Sequence, residues 1–336
     1  MSKSPQPMRM QFPSHLASTI ISGDYQIIVT GAGGWLGQAT IEMIEGVFGE
    51  NLSSRVVAIA STPRELTLRT GRKLQIVDFN QGKYLAERPS LMAHFAFLTR
   101  EKTGQISQSD YVKQNIQITS NAIQLANSMN VAGVFVVSSG AVYENDRTIC
   151  KNIEHNPYGF LKAEEEKAFM RLSEMRKIPV SICRLFNLSG PFIHKEFALN
   201  SIILSVLARH DIVIKAQNMV VRDFNHVQDI VSLGFSMILD KLNIAKRPFD
   251  SGIGEPIEIG SLAKITKDIL GQGHLKIIRN KIESNPNIYI GNTYVIKSLY
   301  RKYQITPKML DQQILDTASY LMSLNSEYEC NQSVTR

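Results

Sequence analysis

Three residues stand at spacings that could carry proton-transfer chemistry. The segment VFVVSSGAVY (134–143) is typical of a buried strand that runs out into small and hydroxyl residues. Ser139 is therefore expected at the carboxyl edge of a sheet, where ligands bind in such folds. Eighteen residues later, Pro157 is placed to open a helix, which puts Tyr158 one turn ahead of Lys162. A phenol has an ordinary pKa of about 10, so it needs a nearby cation, here Lys162, to act as acid or base at neutral pH.

A Tyr-x-x-x-Lys pair is common on ordinary helices, so the elements around it must support the assignment. Upstream, a predicted strand QIIVT (26–30) leads into TGAGGWLG (30–37), a helix to about residue 48 and a second strand at 55–60. Glycines allow positive φ and close approach of the backbone to a pyrophosphate, which the N–H groups of the helix N-terminus then bind. The spacing is G-x-x-G-x-x-G, because residue 36 is leucine, and a purely structural turn would also need glycine. The expected dinucleotide contacts here are Gly31, Gly33, Gly34, Trp35, Leu36 and Gly37.

The end of the second strand bears on which dinucleotide is bound. A carboxylate there would bind the adenosine ribose hydroxyls of NAD, but the chain has Ser61 and then Arg64. This hydroxyl and guanidinium favour the 2′-phosphate of NADP(H). NAD(H) is the alternative, with Arg64 a solvated surface charge. Asp78 and Phe79 follow the third strand as further contacts, where Asp78 could meet the adenine amino group or cap the next helix.

The whole chain alternates short apolar runs with stretches of helical period. This predicts an α/β fold, a Rossmann-type doubly wound parallel sheet with a smaller interleaved α/β C-terminal substrate domain. Further strands are predicted at 74–77, 94–98, 133–138 and 180–184, and helices at 111–129, 158–176 and around 200–209. The expected divisions are a partly disordered leader (1–24) with a short helix near 15–22, a dinucleotide-binding domain (25–186) with a return segment at about 220–250, and a substrate domain (187–219 and 251–330).

Composition and charge argue against several other classes of protein. The 336 residues are 43% hydrophobic and 20% charged, and the net charge of +7 comes from scattered basic residues without a basic stripe, so no nucleic-acid partner is expected. Three cysteines without CxxC spacing predict neither a disulfide framework nor a metal site. No apolar run approaches the roughly 18 residues of a membrane span, and residues 1–24 lack the pattern of a secretory signal. We therefore expect a cytoplasmic protein with no membrane partner.

Six motifs occur in an order that matches a known family. TGAGGWLG is similar to TGxxGxxG, SSGAVY to a serine-containing strand end, and YGFLK to YxxxK. RLFNLSGP (184–191) is similar to R-x-x-N-x-x-G-P, RDFNHVQD (222–229) to R-D-F-x-H-V-x-D, and DSGIGEPIEI (250–259) to a glycine-bearing strand near the C-terminal part. From about residue 25 to 320 the chain resembles extended short-chain dehydrogenases/reductases, the NAD(P)-dependent epimerase/dehydratase family that acts on nucleotide sugars.

This resemblance implies catalytic roles. Tyr158 would exchange a proton with the sugar oxygen, Lys162 would hold the nicotinamide ribose, and Ser139 would hydrogen-bond the substrate. Asn115 occupies the position of a helix asparagine that supports the catalytic group, with helix capping as its plain alternative.

The resemblance also implies substrate contacts and a partner. Asn187 and Arg222 would contact the diphosphate of a nucleotide sugar, and Ser139 and Gly140 its sugar. The plain alternative is a structural Arg222 paired with Asp229. A homodimer formed by the two long predicted helices is implied as well.

Departures from the family pattern narrow the reaction. Sugar 4,6-dehydratases carry an Asp-Glu pair where this chain has Gly140 and Ala141, so dehydration is not expected. The family's H-x-A-A is HFAF here, followed by leucine, so Phe97 and Leu98 are expected to line the cofactor site differently. The first hypothesis is an NADPH-dependent 4-keto-sugar reductase that makes a deoxysugar donor for a surface polysaccharide or glycosylated product. The second is an NAD-dependent nucleotide-sugar 4-epimerase, and the non-enzyme alternative is a dinucleotide-sensing protein.

Overall fold

The central feature is a large parallel sheet. The structure is a computed structural model that describes residues 9–82, 88–128, 130–244, 246–279, 282 and 284–333. Its strands are β1 (Gln26–Thr30), β2 (Val56–Ile59), β3 (Arg64–Thr67), β4 (Lys73–Val77), β5 (Ser90–His94), β6 (Val131–Ser139), β7 (Val180–Leu185), β8 (Asn187–Ser189), β9 (Ile212–Ile214), β10 (Asn218–Arg222), β11 (Phe224–His226), β12 (Phe249–Asp250), β13 (Ile257–Glu258), β14 (Ile277–Arg279) and β15 (Ser284–Tyr289). The large sheet has the order β12-β7-β6-β5-β1-β2-β4-β3, parallel except for β3, which is antiparallel to β4.

Helices cover this sheet on both faces. They are α1 (Ser14–Ser22), α2 (Trp35–Phe48), α3 (Leu52–Arg55), α4 (Phe79–Gly82), α5 (Gln108–Ser128), α6 (Pro157–Arg176), α7 (Ala198–Leu207), α8 (Val227–Leu239), α9 (Ile259–Ile269), α10 (Tyr294–Lys302) and α11 (Leu310–Ser333). Along β1, Ile27 and Val29 pack in the core cluster of α2 and α8, whereas Ile28 packs in that of α5 and α6. Alternate side chains of a strand point to opposite faces, so a strand buried on both faces is apolar throughout. The predicted α/β Rossmann-type fold is confirmed.

The C-terminal half adds a second apolar core beside the sheet. Leu199 and Ile203 of α7 pack with Leu262 of α9 and Ile314 of α11. Small sheets flank this cluster, in the orders β13-β10-β15, β11-β8 and β14-β9. Between them the chain returns to the large sheet, since α8 packs on β6 and β7 and β12 pairs with β7. The exact domain boundaries stay a prediction.

Two local predictions differ from the structure. The strand predicted at 94–98 lies at Ser90–His94, because the strand starts directly after Pro89 and pairs there with β1 and β6. Phe97 and Leu98 therefore lie in the loop beyond the strand. Arg64 begins an antiparallel edge strand, β3, which was not predicted.

The leader is packed on the fold from residue 10 onwards. Met10 is buried, and the ring of Phe12 meets that of Phe235 edge-on at 5.2 Å between centroids. The short helix expected near 15–22 is confirmed as α1. The start of the leader, where disorder was predicted, lies outside the described residues.

Candidate active site

The turn between β1 and α2 has the geometry of a phosphate cradle. Gly31 has φ of +71°, which glycine adopts without strain. A Cβ atom at Gly37 would lie 2.6 Å from Cα of Ala32, so glycine lets the helix pack closely on the turn. Gly34 caps the helix without a side-chain hydrogen bond, which leaves N–H groups of the first turn available to an anion. These features fit the pyrophosphate of a dinucleotide.

The first two residues of α2, Trp35 and Leu36, face different ways. The side chain of Leu36 is buried in the core, so only its backbone is available to a ligand. Trp35 is partly buried and meets the ring of Phe197 at 6.4 Å between centroids.

Arg64 reaches back over the glycine turn. A Cβ atom on Gly33 would overlap the guanidinium and come within 2.9 Å of its Cζ atom. Although its side chain is exposed, the charge lies against the phosphate cradle. Ser61, three residues before Arg64, is exposed as well.

Asp78, directly after β4, caps the helix that follows it. Its Oδ1 atom accepts a hydrogen bond from the backbone N–H of Gln81 at 2.8 Å, which caps the short helix α4. Phe79 packs partly against the core cluster of α5 and α6. The capping alternative for Asp78 therefore describes its observed contacts.

The catalytic candidates meet where β6 ends. Burial raises the pKa of the Tyr158 phenol to about 12, and hydrogen bonding with the Ser139 hydroxyl opposes this rise. Burial also raises the pKa of the Tyr289 phenol, and hydrogen bonding with the same Ser139 hydroxyl opposes that rise. Ser139 thus faces two phenols, while its Oγ atom also accepts a hydrogen bond from the N–H of Ala141 at 3.1 Å.

Lys162 lies below this group and has other partners. Its Nζ atom donates to the carbonyl of Val137 at 2.9 Å and to Oε2 of Glu165 at 2.8 Å. The ammonium also lies 3.8 Å from the centre of the Phe97 ring, whose edge contact with Tyr158 has a centroid distance of 5.8 Å. The expectation that Lys162 lowers the pKa of Tyr158 is not met in this structure, because Glu165 compensates the lysine charge and the phenol is desolvated.

Asn115 fixes the loop that carries Phe97. Its Oδ1 atom accepts from the N–H of Leu98 at 2.8 Å, and its Nδ2 atom donates to the carbonyl of Tyr111 at 3.2 Å. The Tyr111 hydroxyl donates to the carbonyl of Leu98 at 2.7 Å. Asn115 lies within α5 and caps no helix end, so the capping alternative is wrong.

The predicted diphosphate contacts lie around Tyr289. Asn187 donates through Nδ2 to the Tyr289 carbonyl at 3.1 Å. The guanidinium of Arg222 lies 5.8 Å from the centre of the Tyr289 ring and donates to the Asn287 carbonyl at 2.9 Å. The alternative pairing of Arg222 with Asp229 is not found, since Asp229 accepts the N–H of Lys308 at 2.7 Å.

A polar network links the site to the C-terminal half. Glu166 accepts two hydrogen bonds from Arg184, at 2.8 and 2.6 Å. Arg184 also donates to the Tyr143 hydroxyl at 2.6 Å, and that hydroxyl donates to Asp250 at 2.9 Å. Residue 140 must be small here, because a Cβ atom on Gly140 would lie only 2.6 Å from the ring of Phe186.

Residues 27–250 match the NAD dependent epimerase/dehydratase family. The chain belongs to this family. This confirms the family that the motifs indicated and, with it, an enzyme that uses a nicotinamide dinucleotide.

Individual relatives are distant. An uncharacterized UDP-glucose epimerase of Bacillus subtilis (strain 168), YtcB, is 22% identical over 277 residues, which cover 78% of this chain and 87% of that protein. The fold is similar to that of a UDP-N-acetylglucosamine 4-epimerase from Methanobrevibacter ruminantium M1 in complex with UDP-N-acetylmuramic acid, with a TM-score of 0.71, 19% identity, and 90% and 99% of the two chains covered. It is also similar to that of a UDP-glucuronic acid 4-epimerase from Bacillus cereus in complex with NAD, with a TM-score of 0.64, 18% identity, and 88% and 96% covered.

In this family member the structure gathers most of the predicted residues and adds three. Ser139, Tyr158 and Lys162 lie at the end of β6, and Asn187 and Arg222 approach the same place from the other half. Sequence reasoning missed Tyr289, Glu165 and His94. The three-residue spacing from Lys162 could have marked Glu165, and the HFAF motif could have marked His94, whereas Tyr289 lies in none of the six motifs.

Neither a metal centre nor a membrane span is found where the chain is described. Within those residues, no three His, Cys, Asp or Glu side chains are grouped to hold a metal ion. Over the same residues, no helix is both long and apolar enough to cross a membrane.

Proposed function

We propose that the chain is an NAD-dependent nucleotide-sugar 4-epimerase in which Tyr158 is the acid/base. The observation that carries this proposal is the convergence of Ser139, Tyr158 and Lys162 at the carboxyl edge of β6, the edge at which the glycine turn also lies. The 4-epimerases among the similar structures support it. Gly140 and Ala141 stand where dehydratases hold carboxylates, so no pair of acids is placed for an elimination.

Each residue has a role in this reaction. When bound, the dinucleotide supplies the hydride acceptor and donor, and its oxidised ring adds a positive charge. The phenolate form of Tyr158 takes the proton of the sugar hydroxyl and returns it, while Ser139 hydrogen-bonds the same oxygen. Lys162 would hold the nicotinamide ribose; in this structure its ammonium lies 3.8 Å from the centre of the Phe97 ring. Asn187 and Arg222 bind the diphosphate.

The test begins with the cofactor and continues with the product. Denaturing the purified protein and weighing the released small molecule identifies any dinucleotide that it carries. UDP-glucose, UDP-N-acetylglucosamine and dTDP-glucose are then incubated with the protein and catalytic NAD, and NMR follows the 4-epimer. We expect epimer formation without net reduction of NAD.

Tyr158→Phe is the decisive variant. It should lower kcat by about 100-fold or more and leave the dinucleotide Kd within a few-fold, because the phenol acts mainly in the transition state. Tyr294→Phe is the matched control, since Tyr294 is 81% exposed and outside the site. Near-normal turnover of the Tyr158 variant would show that the acid/base assignment is wrong.

A second candidate, an NADPH-dependent 4-keto-sugar reductase, is favoured by Arg64 alone. Its guanidinium lies on the glycine turn, and no carboxylate ends β2. If Arg64 binds a 2′-phosphate, Arg64→Gln should weaken NADP(H) by about tenfold or more and leave NAD(H) unchanged, since a charge-assisted hydrogen bond contributes about 1.5–3 kcal/mol. Arg171→Gln, at an exposed arginine, is the control. Equal loss for both dinucleotides would favour the epimerase.

We also propose a homodimer formed through α5 and α6. These helices pack on each other and expose two large apolar side chains, Ile116 (57%) and Met175 (82%), that a partner could cover. Light scattering after size-exclusion chromatography should give twice the chain mass, and Ile116→Asp should give the single mass. A single mass for the unmodified protein would exclude the dimer.

A further inference from the structure

A chain of buried polar groups runs behind the candidate catalytic lysine. Oε2 of Glu165 accepts from Lys162 at 2.8 Å, and its Oε1 atom lies 3.1 Å from Nε2 of His94. Nδ1 of His94 lies 2.6 Å from the hydroxyl of Thr30. These groups come from α6, β5 and β1, so they join three elements of the fold below the site.

The positions of the protons in this hydrogen-bonded series of side chains follow from its geometry. Burial would raise the pKa of Glu165, but the charge of Lys162 and the hydrogen bond from His94 hold it below its usual value, so the carboxyl is ionised. An ionised carboxylate only accepts hydrogen bonds, so Nε2 of His94 must carry a proton. In a neutral ring Nδ1 then accepts from Thr30. Each group of the chain is satisfied, and Glu165 is held from two sides.

Stability alone gives no reason for this arrangement. The Glu165 side chain is 0% exposed and that of Lys162 6% exposed. Removing two charges from water costs about as much as their attraction returns, and apolar side chains of similar volume often stabilise a core as well. A buried charged pair that acts on the candidate acid/base Tyr158 therefore points to the reaction.

We propose that Glu165 is a positioning residue, which holds Lys162 at the base of the site through the Glu165–His94 contact and sets the proton affinity of Tyr158 by its charge. This inference rests on the proposed role of Tyr158 as acid/base. The Glu165 side chain is 0% exposed, so it acts through its neighbours.

Other charged or titratable groups also face Tyr158. They come from the 3-10 turn after β5, from α5 and from β15, and they are Arg100, Glu101, Tyr111 and Tyr289. Arg100 and Glu101 are exposed and of opposite sign, so water and their mutual compensation weaken their effect. Glu165 is the fully buried acid among the described groups that act on Tyr158, and its negative charge opposes formation of the phenolate.

The test compares Glu165→Gln with Glu164→Gln on the dinucleotide-bound protein. The Glu165→Gln variant keeps the size of the side chain and one acceptor oxygen but loses the charge. Its amide N–H₂ faces His94, whose ring accepts it through Nε2 once the ring proton moves to Nδ1. Glu164, by contrast, is an exposed neighbour paired with Lys167 at 2.6 Å. Glu165→Gln removes a negative charge that opposes ionisation of the Tyr158 phenol. The limb of the pH profile of kcat along which Tyr158 ionises should therefore move to lower pH by roughly one unit. Glu164→Gln should leave it in place.

Two further measurements separate this role from a structural one. Glu165→Asp retains the charge and should keep the limb of the unmodified protein, even if its stability falls. Tyrosinate absorbance, taken as the difference between each protein and its Tyr158→Phe partner, follows the phenol without turnover. It therefore tests the inference even if no nucleotide sugar is converted, a result that would count only against the proposed function.

Two results would overturn the inference. One is a phenol titration in Glu165→Gln that coincides with that of Glu164→Gln. The other is a Glu165→Asp variant that shifts as far as Glu165→Gln, which would show that shape and not charge is responsible.

Discussion

The ion pair between Glu166 and Arg184 should be a main determinant of stability near the site. Glu166 accepts from Nε and Nη2 of Arg184 and from the hydroxyl of Ser138 at 2.6 Å. The two charged side chains are 5% and 12% exposed, so water cannot replace a lost partner. In Glu166→Gln the new amide N–H₂ would face a donor of Arg184, and the guanidinium would lose its charge partner. The expected loss is about 3–5 kcal/mol of the free energy of unfolding, the usual result of breaking a buried pair.

Urea denaturation measures this loss. With an m-value of about 3 kcal/mol/M, the midpoint should fall by about 1–2 M. The control is Glu164→Gln, whose exposed pair with Lys167 should contribute under about 1 kcal/mol. Replacing both Glu166 and Arg184 by methionine should recover most of the loss, because the two charges are then removed together. The reasoning is refuted if Glu166→Gln falls no further than the control, or if the double variant is less stable than the single one.

Two further predictions concern packing. Gly37→Ala should lower the melting temperature and abolish dinucleotide binding, because the new Cβ would lie 2.6 Å from Cα of Ala32 and push α2 off the turn. Differential scanning fluorimetry measures the first effect and a dinucleotide titration the second. Unchanged binding would exclude the close approach. Cys150 and Cys183 are buried, and burial raises the pKa of both thiols. In a Cys330→Ser background, neither thiol should react with Ellman's reagent at about pH 8 until the protein is unfolded. Rapid labelling of the folded protein would contradict their burial.

The tertiary structure also corrects how the lysine is understood. From the sequence, the one-turn spacing of Tyr158 and Lys162 suggested a direct effect of the ammonium on the phenol. The helix does place both on one face, but Glu165, on the next turn of the same helix, binds the ammonium. Phe97, in the loop beyond β5, covers its remaining side. The contact with Glu165 lies within one helix and was open to the sequence, whereas a spacing along one helix cannot show that Phe97 from another element covers the ammonium.

Local patterns alone determined the glycine turn, the buried strands other than β5 and the helix that carries Tyr158 and Lys162. Positive φ at a turn, the alternation of a strand and the period of a helix are each set by residues a few positions apart, so they can be read along the chain. Only the tertiary structure brought Tyr289 to Ser139, His94 to Glu165 and Arg64 to Gly33. These contacts join residues 31 to 150 positions apart, and they depend on the order of strands in the sheet and on the packing of the C-terminal half, which no local pattern records.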